Sequence, residues 1–293
     1  MHWEAIQQYW PISITMMFGS IIAGATSEGG GAIAFPIFTK VLQIPPQDAK
    51  VFSLAIQSLG MSAATLTILS MKIPVLWSAI FWTSIGGILG LSIGLHIAHF
   101  ISPEFIRMLF TMMAISLAIN LAFLQADFQK NYHTITNITA KEASIFIVTG
   151  ITGGLLSGLV GSGIDMVCFT VLVLLFRINV TIATPTSVVL MAIHSFFGIL
   201  IQVFTLEGIN SQVQDYWFAA APIVIIGAPL GAFLCTKMKN QHIRYLLISL
   251  ISLELCSSLW LLKFNITLII FSSALLIFFS SLMLYMHKSN AYV

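Results

Sequence analysis

GATSEGGGAIAFP, residues 24–36, interrupts a long apolar run with three adjacent glycines and a proline. Each glycine costs a helix roughly 1 kcal/mol against alanine, and Pro36 withholds an N–H from the turn that follows. Gly29, Gly30 and Gly31 are therefore expected to break the helix. A second interruption, GLVGSGIDMVCFT at 158–170, lies 134 residues further on. At that offset Gly24 falls on Gly158, Phe35 on Phe169, Ala49 on Ala183 and Ser53 on Ser187, without a gap. Beyond it, IGGILG at 85–90 resembles IGAPLG at 226–231, and Ile106-Arg107 resembles Ile243-Arg244. Broken helix, helix, glycine-rich helix and helix thus occur in that order twice. This predicts two homologous repeats with a site between them.

The rest of the chain identifies its solvent. Of 293 residues, 58% are hydrophobic and 8% charged, with a mean hydropathy of +0.99. Soluble domains carry roughly 25% charged residues, and a water-facing surface needs them; this surface is built for a lipid bilayer. A spanning helix needs about 20 mainly apolar residues. Such segments fall near 12–43, 50–71, 75–99, 104–124, 143–177, 182–206, 216–236, 243–262 and 266–286. The expected fold is an all-α polytopic membrane protein of about eight or nine hydrophobic helices. Residues 1–124 form the first repeat, 125–142 a polar linker, 143–265 the second repeat, and 266–293 one extra transmembrane helix and tail.

A net charge of +2 excludes a nucleic-acid partner. Cys168, Cys235 and Cys256 all lie in apolar runs and form neither a disulfide framework nor a metal pair. No nucleophile elbow, HExxH or phosphate loop is present, so no enzyme, cofactor or metal is expected. The N-terminus, MHWEAIQQYW, carries an acid and no basic cluster and does not read as a cleavable signal. Oligomeric state is not specified.

Orientation depends on the broken segments. If each crosses once, Lys40, Lys50, Arg107, Arg177, Lys237, Lys239, Arg244 and Lys288 share one side, placing the N-terminus outside and the C-terminus inside. If each is a re-entrant hairpin, every half has an odd number of crossings and the repeats are inverted. The pieces 12–27 and 31–43 would each reach only about 20–24 Å as helix, so the hairpin stays open as an alternative.

Broken helices in lipid are tolerated where the freed backbone is buried or lines water. A helix N-terminus aimed into such a break offers N–H groups to an anion, and glycines let a ligand approach. Gly29–Gly31 in the first break, and Ser162-Gly163 in the second, are the expected backbone donors. Glu28 and Asp165 are the acids deep in these stretches; an intramembrane carboxylate is a candidate for proton coupling or gating. They are not equivalent, because the offset puts Glu28 on Ser162 and Gly31 on Asp165. Ser53 and Gln57 share one helix face, and Ser187 and His194 share the matching one. His194 suits either a packing role or a pathway role. Thr184-Pro185-Thr186 reads as a capped helix start, and the glycine-rich pair as close helix packing.

The glycine-rich break, the FPIFTKVLQIPPQDA that follows and the serine of the next helix together resemble the TauE/SafE-type sulfite exporter family, also called the four-toluene sulfonate uptake permease family. The resemblance covers about residues 13–265 through Gly29–Gly31, Pro36, Pro45-Pro46, Ala49 and Ser53, and recurs more loosely at 158–179. It implies a bacterial inner-membrane transporter of small, often sulfur-containing anions. Glu28, and Ile164-Asp165 where the family pattern continues with glycines, depart from it. The leading expectation is a proton-coupled anion carrier working by alternating access, with Ser27, Ser53 and Ser187 as hydroxyl donors. The alternatives are a cation or zwitterion carrier that uses Glu28 and Asp165 as ligands, and a non-transporting membrane scaffold.

Overall fold

The computed structural model describes residues 7–27, 37–38, 42–98, 100–123, 139–206, 208–261 and 266–288. Every element among them is helical: α1 (Trp10–Ala25), α2 (Pro46–Ser70), α3 (Trp77–Ile97), α4 (Pro103–Phe123), α5 (Ala140–Val160), α6 (Ile164–Thr170, continued by a π-helical turn Val171–Leu175), α7 (Val180–Thr205), α8 (Ser211–Lys237), α9 (Asn240–Leu261) and α10 (Ile266–Lys288). Seven of these are long and apolar enough to cross a membrane: α2, α3, α4, α5, α7, α8 and α10. The difference from eight or nine has local causes. The long run 12–43 yields only the 16-residue α1 among the described residues. The run 143–177 is divided between α5 and α6. The 22-residue α9 carries Asn240, Gln241, His242 and Arg244 in its opening turns. The first break, Glu28 to Pro36, lies outside the described residues.

The second break does not carry the chain across. Phe146, near the start of α5, stacks on Phe176 just past the π turn, with ring centroids 4.8 Å apart. A Cβ on Gly153 would lie 2.9 Å from the Ile164 Cα. So α6 folds back along α5, and both ends of the segment sit at the same end of the bundle. The single-crossing supposition fails for this segment, and with it the grouping of charges built on it. Tyr9, at the start of α1, packs on Tyr216 at 5.0 Å, Phe52 on Tyr216 at 6.4 Å and Phe38 on Phe52 at 4.9 Å. Phe38 therefore lies back near the start of α1.

Side-chain pairs give the helix directions. Along α1 and α8, the Ser13 hydroxyl donates to the Ala219 carbonyl and Gly24 meets Ala228, so the two are parallel. Along α3 and α5, Gly86 meets Ile147 and Gly94 meets Leu155, again in parallel. Here a Cβ on Gly158 would sit 2.6 Å from the Leu91 carbonyl oxygen. Glycine is needed for these backbones to approach, which bears out the packing reading of the glycine-rich helices. Helix α2 runs parallel to α8 (Ala55 with Trp217, Gly60 with Val224) and antiparallel to α7 (Leu54 with Gly198; Leu76, past the end of α2, with Thr186). Helix α10 lies beside α4 through Phe105–Phe271 and leaves most of its surface for lipid, with 17% buried.

Helix α7 starts at Val180, not at Thr184. The Asn179 side chain accepts from the Thr181 N–H at 3.0 Å and caps it, so Pro185 lies inside the helix. Helix α5 begins at Ala140. Thr139 and Glu142 form a capping box at the start of α5, each meeting backbone donors that a helix start leaves free.

Candidate functional site

The second break is a three-residue turn. α5 ends at Val160, Gly161 takes φ 92°, Gly163 takes φ 138°, and α6 begins at Ile164. Those two angles fall where side chains with a Cβ are strained. The turn is held from two directions. From its own half, the Ser157 carbonyl accepts from the Gly161 N–H at 2.8 Å, and the Ser157 hydroxyl accepts from the Ile164 N–H at 2.9 Å. From the other half, Ser53 and Gln57 on α2 both donate to the Gly161 carbonyl, at 3.2 and 3.0 Å, and Gln57 also donates to Ser53 at 2.6 Å. Gln57 and Ser53 stand one turn apart on one helix face, and the break docks onto that face.

Asp165 is 2% exposed. Its Oδ1 accepts from the Gly163 N–H at 3.1 Å and the Met166 N–H at 3.0 Å. The carboxylate thus occupies the positive end of α6, where an anion is favoured. The expected backbone donors at Ser162-Gly163 are therefore partly taken: Gly163 N–H is engaged by Asp165, whereas the buried Ser162 hydroxyl has no partner. On the Gln57 amide, Oε1 is also buried and without a partner.

His194 is fully buried on α7. Its Nδ1 lies 2.9 Å from the Leu190 carbonyl, and its Nε2 has no partner. The ring fits only because residue 87 is glycine: a Cβ there would collide with His194 Nε2 and approach the Ile164 side chain. His194 therefore borders the start of α6. Ser187 does not. It donates to the Thr184 carbonyl at 2.8 Å, and along α7 it lies eleven residues, roughly 16 Å, from Gly198, which packs on Leu54 beside Ser53. Ser27, buried with an unpartnered hydroxyl, lies two residues past the end of α1. The structure thus gathers Ser53, Gln57, Ser162, Gly163 and Asp165, with His194 at their edge. It separates Ser187 from them. Glu28, Gly29, Gly30 and Gly31 lie outside the described residues. Two contributors escaped the sequence reading: Ser157, which holds the Ile164 N–H, and Gly87, which makes room for His194. A serine and a glycine in a small-residue-rich run look alike whether they pack or position, and only the three-dimensional neighbours separate them.

Seven described helices long and apolar enough to cross a membrane define a multi-pass integral membrane protein. The chain matches the family described as sulfite exporter TauE/SafE over residues 12–256, and it belongs to that family. Membership suggests a membrane transporter of sulfite or related sulfur anions, and hence a small anionic substrate. No curated protein and no solved structure matches the chain.

Proposed function

We propose that this protein is a secondary transporter of a small sulfur oxyanion or organosulfonate, coupled to protons and working by alternating access between two inverted repeats. The observation that carries the reading is the Asp165 carboxylate seated on the start of α6. It is a tethered anion in a place suited to a free one. An entering oxyanion takes the Gly163 and Met166 N–H donors, with the Ser162 hydroxyl beside them. Asp165, deprived of its donors within a buried site, then accepts a proton, so anion and proton move together.

Several features support the inverted repeats. The Leu42 and Ile44 N–H groups bond to the Ile37 and Phe38 carbonyls, and 134 residues later Phe176 and Ile178 bond to Val171 and Leu172. Gln43 and Arg177, at the same offset, both adopt the left-handed conformation, with φ 56° and 52°. α1 and α2 run one way, and their counterparts α5 and α7 run the other. Among the glycine-rich helices, Gly94 packs on Leu155 as Gly231 packs on Ile21. That pairing has an offset of 137, matching Ile106 with Ile243. The visual match of IGGILG with IGAPLG is four residues, about one helical turn, out of this register. With hairpins, Lys72, Lys141, Arg177, Lys237, Lys239, Arg244 and Lys288 fall at one end, and Lys50 and Arg107 at the other. The positive-inside rule makes the first end cytoplasmic. The N-terminus still lies outside and the C-terminus inside, but on a different partition of charges.

The test is uptake of radiolabelled sulfite and sulfoacetate into proteoliposomes under imposed pH gradients. Wild-type flux should follow the proton gradient, and Asp165→Asn should uncouple it. Absence of flux for every sulfur anion would refute the transport reading, and unchanged proton dependence in Asp165→Asn would refute the role of Asp165.

A further inference from the structure

We propose that a cavity at the Lys/Arg-rich end of the bundle is a second anion site, a vestibule with Lys72 as its cation. The proposal rests on the transport reading only for the kind of anion. The cavity holds about 340 Å³ between the ends of α1, α2 and α8 and the start of α7. Its polar lining is Lys72, Thr181, Thr184 and Thr236, completed by Pro185 and Cys235. None of the lining residues is acidic.

The second observation is Thr184. It is 1% exposed, and its hydroxyl has no partner. A buried donor without an acceptor is costly, and Thr184 forms part of the cavity wall. Pro185 adds to the polarity. It has no N–H, so the Thr181 carbonyl one turn earlier lacks its helical donor. One ammonium and the Thr184 hydroxyl are the donors for a compact oxyanion; the Thr181 and Thr236 hydroxyls already donate to the Asn179 side chain at 2.9 Å and the Phe233 carbonyl at 2.7 Å, and with the Thr181 carbonyl they suit an anion that carries water or an O–H. The volume is at the small end of the about 300–1,000 Å³ typical of ligand sites. It leaves room beyond an inorganic oxyanion for a short organic tail or hydration, so the class is a small sulfonate or a hydrated sulfur oxyanion. The vestibule is distinct from the break at Gly161–Gly163. Thr184 lies fourteen residues before Gly198 on α7, roughly 20 Å along the axis.

Cys235, buried at 7% exposure in the lining, is a built-in reporter. In full-length protein carrying Cys256→Ser in detergent, with Cys168 left in place at 0% exposure, we would follow alkylation of Cys235 by N-ethylmaleimide. Sulfoacetate would be compared with chloride at equal ionic strength. At twice its Kd, sulfoacetate should slow alkylation about threefold. Lys72→Gln should abolish the protection, and Lys72→Arg should keep it. Equal rates with sulfoacetate and chloride, or equal protection in Lys72→Gln, would overturn the vestibule. The two readings fail separately. Protection without sulfite flux in proteoliposomes sinks the transport reading and leaves the vestibule standing; flux without protection does the reverse.

Discussion

Gly161→Ala tests whether the second break is a docked joint between halves. In wild type, residue 161 takes φ 92°, and an added Cβ would lie 2.8 Å from both the Lys50 carbonyl oxygen and the Ser53 Cβ on α2. Holding alanine in the left-handed region costs about 1–2 kcal/mol. Forcing a methyl against packed backbone costs about 1–3 kcal/mol more. The sum is about 2–5 kcal/mol. Gly208→Ala is the internal control: its φ is 77°, but nothing lies within 4 Å of the added Cβ, so only the strain of about 1–2 kcal/mol remains. Thermal unfolding of the detergent-solubilised variants should place Gly161→Ala well below Gly208→Ala. Flux should fall with it, because the displaced partners, Lys50 and Ser53, belong to the other half. Equal stability of the two variants would refute the docked joint, since backbone conformation alone would then explain both glycines.

Gly87 and His194 on α3 and α7 pair as Val224 and Gly60 do on α8 and α2, with large and small residues exchanged. Gly87→Val alone should therefore destabilise by about 1–3 kcal/mol. Combined with His194→Gly it should recover much of that loss, which a double-mutant cycle measures. Removing both donors to the Gly161 carbonyl with Ser53→Ala and Gln57→Leu should cost about 1–3 kcal/mol for a buried unsatisfied acceptor. Either change alone should cost less, as a denaturation series would show. Cysteines placed at Lys72, Lys141 and Lys239 should all react with an impermeant thiol reagent from the same face of inverted membrane vesicles; labelling of Lys141 from the opposite face would disprove the hairpin.

Much of the fold can be read from local chemistry. Closely spaced glycines disfavour a helix, and α5 ends at Val160 with Gly161 and Gly163 at φ 92° and 138°. The serine–glutamine face of α2 was also visible, because two polar residues one turn apart in an apolar helix stand out. The direction of the chain after a break was not. An apolar helix reads the same whether it continues across the bilayer or returns, so the hairpin had to come from contacts such as Phe146 with Phe176. Nor do the letters of the glycine-rich helices say which glycine meets which carbonyl, because small residues recur there every four residues.

The sequence by itself determined that the chain is an all-helical membrane protein, since that follows from its composition and the length of its apolar runs. Only the tertiary structure decided that α6 turns back along α5, that Ser53 and Gln57 hold the Gly161 carbonyl, that Ser187 stands apart from it, and that Asp165 bonds to the backbone at the start of α6. Each of those depends on residues distant in sequence meeting in space, or on which local donor a side chain finally takes, and neither is fixed by periodicity.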